Sequence, residues 1–367
     1  MKTSVNNIKS LYIHIPFCHH LCDYCDFPKL QYFSFFASNY LKQLEKELEN
    51  YRINNLETIY IGGGTPTSLD DELFLELLKI FDKYSDGVKE YTIEANPESL
   101  TINKLKMMKE HGVNRLSIGV ETTDDNILKS INRHHTYQDV ISAVQNAKQQ
   151  GFNNINLDLI LGLPNCSISQ IKKDIENILS LDVEHISCYS LTVNPHTIFY
   201  LKHISEPLSD FSRSCYDMVN EILEKNGFIH YEISNWCKPQ YQSRHNLTYW
   251  NNDRYYGVGL GASGYIDDIR YTNTKSINEY LKGKYLFESE RISLKEEKEY
   301  QIILNLRTMY GIDLIYYKEK FNIDLYHEHQ KDIDELISLK LLKIESNHLI
   351  ATYEGMMILD QIILKLL

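Results

Sequence analysis

Ile15-Pro16-Phe17-Cys18-His19-His20-Leu21-Cys22-Asp23-Tyr24-Cys25-Asp26-Phe27 places three of the chain's seven cysteines within eight residues. The apolar run Leu11–Ile15 just before it reads as a strand, so the thiols sit on the loop that leaves a strand end. Three thiolates on one short loop converge on a single metal centre. A structural zinc site closed by His19 or His20 is one reading, but zinc fingers bring two separated pairs and no second pair follows. A 4Fe–4S cluster takes one cysteine per iron, so three cysteines leave one iron open to a chelating small molecule. The spacing therefore points to chemistry more than to structure. The other cysteines, Cys166, Cys188, Cys215 and Cys237, are scattered, as expected of buried thiols in a reducing cytoplasm.

Outward from this loop the chain alternates. Strand-like runs at Leu11–Ile15, Thr58–Ile61, Tyr91–Glu94, Arg115–Ile118, Ile155–Ile160 and His185–Tyr189 are separated by segments of helical spacing. In 137–150 the apolar Val140, Ile141, Val144 and Ala147 form one stripe. Ser99 or Thr101 is placed to cap the third helix, and Gly112 and Gly151 stand at C-terminal positions. Six such units imply an α/β fold with a parallel sheet, either open or closed into a full or partial barrel. Three parts are expected: a core at 1–230, an irregular connecting region at 231–290, and a mostly helical, winged-helix-like domain at 291–367.

The 367 residues carry 38 Lys+Arg against 50 Asp+Glu, a net charge of −12, which argues against a nucleic-acid partner. No apolar run reaches the ~18 residues of a membrane helix, and the opening MKTSVNNIKS lacks the apolar core of a secretory leader. Cytoplasmic localisation is expected; peripheral membrane association and oligomeric state are left open.

Several residues could complete the site. Gly62-Gly63-Gly64-Thr65-Pro66 follows the second strand, where bare backbone can approach a ligand. Glu94 ends the third strand, Arg133 follows the fourth, and Asp158 lies inside an apolar strand, where a carboxylate needs a partner. Gly259-Leu260-Gly261-Ala262-Ser263-Gly264 matches the dinucleotide pattern GxGxxG, but no helix is expected after it, so nucleotide binding there is rejected.

The cysteine spacing, with Tyr24 before the last thiol, resembles the radical S-adenosylmethionine superfamily. That resemblance implies a partial (β/α)6 barrel with the cluster on Cys18, Cys22 and Cys25. It also implies S-adenosylmethionine held by Tyr12, Tyr24, Gly63, Gly64, Thr65, Glu94, Glu121, Arg133, Asp158 and Thr192. Members cleave the sulfonium with one electron from the cluster, so an electron donor is implied. Glu121 stands where relatives usually carry Gln, and its charge would repel the cofactor carboxylate unless Arg133 lies close.

The whole chain is similar to the oxygen-independent coproporphyrinogen III oxidase-like family, whose branches include a dehydrogenase and heme chaperones. Three features favour the chaperone branch. Asp26-Phe27 follows Cys25 where the dehydrogenase carries a further Cys. Only 17 residues precede Cys18, and His245-Asn246-x-x-Tyr249-Trp250 matches the chaperones' HNxxYW motif. The resemblance implies heme as ligand and target hemoproteins, of the respiratory chain or similar, as partners. His245 is the expected iron ligand, with His19, His20, His134 and His135 as alternatives. Arg244 is expected to pair with a propionate. Asn194-Pro195-His196 departs from the family's Glu-Pro-Gly, and Ser263 from a frequent His. The alternative function is oxidative decarboxylation of coproporphyrinogen III; whether S-adenosylmethionine is cleaved stays open.

Overall fold

The computed structural model describes residues 8–367, so most of the opening segment read for a leader lies outside the described residues. Six parallel strands form the centre: β1 (Ser10–Ile15), β2 (Thr58–Gly63), β3 (Glu90–Ala95), β4 (Arg115–Glu121), β5 (Ile155–Leu161) and β6 (His185–Ser190). They pair in sequence order, as expected of strands joined by helical crossovers. The helices α1 (Ser34–Leu48), α2 (Asp71–Phe81), α3 (Ile102–Glu110), α4 (Asp125–Ser130), α5 (Tyr137–Gln149), α6 (Ile168–Leu179) and α7 (Ser209–Lys225) connect and follow them. Thr101 caps α3 by accepting from the Lys104 N–H, and Thr136 and Asp139 form a reciprocal capping box on α5. Gly112 and Gly151 sit past the ends of α3 and α5 at φ +82° and +83°.

The fold is thus an α/β partial (β/α)6 barrel, extended at its edges to nine strands. Tyr256–Gly259 adds in parallel beside β1, while Asn235–Cys237 and Ile229–Glu232 add antiparallel beyond β6. Tyr256–Gly259 and Asn235–Cys237 correct the irregular reading of 231–290. That region also holds a helix at Arg244–Trp250 and the strands Ser263–Ile266 and Ile269–Asn273, which pair with Leu286–Arg291. They are three to six residues long and rich in Asn, Gly and Tyr, so no apolar period betrays them. Gly259 ends one strand and Ser263 starts the next, so the GxGxxG pattern is a strand–turn–strand link.

Buried Glu47 of α1 locks this region to the barrel. It accepts from the Gly259 N–H at 2.9 Å, the Asn273 amide at 2.6 Å and the Tyr280 hydroxyl at 2.5 Å. Burial pushes its carboxyl up, and these three donors oppose the shift. The C-terminal region builds a separate apolar core around Leu306, Tyr317, Ile333, Leu349 and Ile362. Its small sheet runs Ile312–Asp313, His348–Ala351, Leu342–Glu345 and is surrounded by helices. The chain closes on two short helices, Tyr353–Met357 and Leu359–Leu366.

Candidate functional site

At the C-terminal end of the parallel strands lies a cavity of about 430 Å³. Cys18, Cys22 and Cys25 open onto it, together with Tyr24, Gly63, Gly64, Thr65, Glu94, Glu121, Arg133, Asp158 and Thr192. The barrel therefore gathers, from six strand ends, residues spread over 175 positions of sequence (Cys18 to Thr192). Tyr12 is not among its lining residues, and His245 lies toward the opposite end of the strands, on Thr58 and Glu90.

The cysteine loop is shaped by backbone bonds. Leu30 N–H donates to the Pro16 carbonyl at 2.7 Å and Tyr32 N–H to the Cys18 carbonyl at 2.8 Å. Gly64 lets the β2 turn meet that loop: a Cβ there would lie 2.7 Å from the Pro16 backbone. The close approach allows Gly64 and Thr65 N–H to donate to the Ile15 and Phe17 carbonyls, each at 2.8 Å. Thr65 Oγ1 then donates to Cys18 Sγ at 3.6 Å, and Arg133 Nη1 to Cys22 Sγ at 3.7 Å. Burial pushes the Cys18 thiol up to about 12, with the Thr65 donor working against it. Three thiols with donors aimed at two of their sulfurs form a set suited to an iron–sulfur cluster.

Beside the thiols sits a carboxylate face. Glu94 accepts from Tyr60 Oη at 2.7 Å and Gly63 N–H at 2.9 Å, and burial pushes its carboxyl up to about 7. Asp158 accepts from Ser117 Oγ at 3.1 Å and Asn156 Nδ2 at 2.8 Å; burial raises it too, against these donors. Arg115, buried at the start of β4, favours the ionised form of both. Sequence reading passed over Arg115, although an Arg heading an apolar strand is the available signal. Tyr60, Asn96 and Ser117 were missed likewise.

Glu121 resolves the question its charge raised. A bulge between Gly119 and Glu121 breaks the β4–β5 register, and Glu121 takes φ +67°. Its carboxylate comes within 3.6 Å of Arg133 Nη2. Gly119 makes room, since a Cβ there would meet both Glu121 Oε1 and Arg133 Nη2 at 3.0–3.1 Å. Arg133 also donates to Asn96 Oδ1 at 3.0 Å and to the Gly119 carbonyl. Burial pushes the Glu121 carboxyl up, and the nearby guanidinium works against that shift.

Tyr12 Oη bonds to His14 Nδ1 at 2.9 Å, and its ring lies 6.1 Å from that of Tyr60, which lines the cavity. One expectation needs correction. His245 is 1% exposed, with Nδ1 on Thr58 Oγ1 and Nε2 on Tyr249 Oη, both at 2.8 Å. An axial ligand needs an unshared nitrogen lone pair facing the iron, and His245 as placed offers none. Its ring stacks on Tyr60, and its backbone N–H donates to buried Glu90 at 2.9 Å, so it braces the barrel floor. Arg244, at the same end, lines a different cavity with Lys9, Arg254 and Glu297. Asn194 does line the cysteine cavity, where its Nδ2 donates to Asp26 Oδ2 at 2.6 Å; Ser263 lies elsewhere.

Residues 12–178 match the Radical SAM superfamily. The chain is 38% identical over 355 residues to "Heme chaperone HemW" of Lactococcus lactis, with 94% of each protein covered. It is 37% identical over 371 residues to the protein of that name in Bacillus subtilis, covering 97% of this chain and 98% of that one. A third, from Escherichia coli, is 33% identical over 81% of both. Among solved structures, coproporphyrinogen III oxidase (HemN) from Escherichia coli superposes with a TM-score of 0.85 over 98% of this chain and 90% of that one. At 21% identity, that likeness speaks for the fold.

Proposed function

The chain belongs to the HemW family within the Radical SAM superfamily, and from that premise we propose that it is a heme chaperone, binding heme and passing it to target hemoproteins. The observation that carries this reading is the extent of the likeness. Identity with proteins named heme chaperones runs far beyond the superfamily segment at 12–178, through the 231–290 region and the C-terminal unit.

Cys18, Cys22 and Cys25 would hold a 4Fe–4S cluster, and S-adenosylmethionine would lie against Gly63, Gly64, Thr65, Glu94, Arg133 and Asp158. The fit is chemical. Glu94 and Asp158 offer carboxylates to an ammonium and to ribose hydroxyls, and Arg133 offers a cation to a carboxylate. The bound group supplies one-electron cleavage chemistry at its sulfonium, which requires an external electron donor. Seven free thiols suit a reducing compartment, in keeping with a cytoplasmic site.

The dehydrogenase reading finds less support. Asp26-Phe27 stands where that enzyme carries a further Cys, and Asp26 is engaged with Asn194. We expect the anaerobically reconstituted protein to take up about one heme per chain, saturably, as followed by Soret absorbance. With coproporphyrinogen III, S-adenosylmethionine and reductant, it is expected to yield no protoporphyrinogen. Turnover to the divinyl product without saturable heme uptake would overturn the proposal.

A further inference from the structure

A heme chaperone needs an iron ligand, and the buried end of the barrel offers none in His245. The mouth of the cysteine cavity does. His20, between Cys18 and Cys22, is the only histidine among the described residues that lines it. Its ring lies flat on that of His134, with centroids 3.5 Å apart and planes 16° from parallel. His134 is itself tethered: its Nε2 meets Asn132 Oδ1 at 3.3 Å, and Asn132 Nδ2 donates to the Leu21 carbonyl at 2.8 Å. Neither nitrogen of His20 is hydrogen-bonded within the described residues. By contrast, both ring nitrogens of His14, His185 and His245 are engaged.

The stacked ring of His134 covers one face of His20 and leaves a ring nitrogen with its lone pair open to a metal. Its surroundings suit a flat apolar ligand. Phe27 lines the same cavity with 60% of its surface exposed, and Tyr189 does so at 41%. Exposed aromatic rings beside a cavity gain by covering a macrocycle. Lys29 also lines the mouth; its ammonium donates to the Cys25 carbonyl and keeps further N–H groups for a carboxylate.

We propose that His20, braced by the stacked ring of His134, is an axial ligand of heme seated against Phe27 and Tyr189 at the mouth of the cysteine cavity. This rests on the chaperone reading and places cargo beside the cluster rather than at the HNxxYW segment.

The test is a Soret titration of hemin into the reconstituted wild type and into His20→Ala, His134→Ala and His245→Ala, each first assayed for iron and sulfide. His20→Ala is expected to lose the histidine-ligated spectrum and to bind hemin about 10–100-fold more weakly at unchanged cluster content. Added imidazole should restore that spectrum. His134→Ala should weaken binding less, and His245→Ala should keep the wild-type band. If His20→Ala loses its cluster, His20→Gln is titrated in its place, and a wild-type band there overturns the site. An unaltered band in a cluster-loaded His20→Ala, or loss confined to His245→Ala, likewise overturns the site and leaves the chaperone reading standing. No saturable binding by the wild type overturns both.

Discussion

Replacing Cys18, Cys22 and Cys25 together by Ala is expected to abolish retention of iron and sulfide after anaerobic reconstitution, from about four of each per chain to background. The fold should survive. The loop is pinned by Leu30 and Tyr32 N–H on one side, by Gly64 and Thr65 N–H on the other, and by Asp23 N–H on the Ile131 carbonyl at 3.2 Å. None of these bonds uses a thiol, so the variant should keep its circular dichroism and melting temperature relative to the cluster-free wild type. Iron and sulfide assays with the 400 nm absorption band provide the check. Wild-type loading in the triple variant would show that the cluster sits elsewhere.

The second large effect is expected at Glu94. Its carboxylate is fixed by Tyr60 Oη and Gly63 N–H, and it faces the pocket assigned to the ammonium of S-adenosylmethionine. Glu94→Gln keeps the shape and removes the charge, so it should lose about 1.5–3 kcal/mol, or roughly 10–150-fold in affinity. Acidity gives a second signature. Burial lifts this carboxyl to about 7 from an ordinary 4.5. The folded, empty protein therefore holds the proton more tightly than the unfolded chain. Ionising Glu94 costs stability progressively as pH rises from about 4.5 through 7. A bound ammonium offsets that cost only when the carboxylate is charged. Wild-type affinity should rise with pH through about 7, and the Gln variant should be flat there. Anaerobic calorimetric titration from pH 6 to 8 distinguishes them; parallel profiles would remove Glu94 from the site.

The barrel strands and their helices are legible in the sequence because each is a run of period-2 or period-3.6 apolar residues bounded by Gly, Pro or a cap such as Thr101. The cysteine loop is legible because its three thiols lie close in sequence. The gathering of Glu94, Arg133 and Asp158 around one cavity came from the resemblance, since strand-end adjacency has no local signal. The bulge that turns Glu121 toward Arg133 is also invisible in sequence, where the strand reads only as far as Ile118. His245 misled for a related reason. Its role as iron ligand came from the HNxxYW resemblance, while Thr58, Tyr60 and Tyr249, up to 187 positions away, engage both its nitrogens and its face. His20 carries the opposite lesson: its brace, His134, lies 114 positions away, joined by the packing of the α4–α5 connection on the cysteine loop.

The central claim is delivery of heme, and the direct measurement is the rate at which heme-loaded protein converts an apo-hemoprotein to its holo form. The apo acceptor of a respiratory hemoprotein would be varied over at least a tenfold concentration range. Direct transfer predicts a rate that climbs with acceptor concentration and vanishes when a dialysis membrane separates the two proteins. A rate fixed at that of spontaneous heme release, whatever the acceptor concentration, would contradict the account.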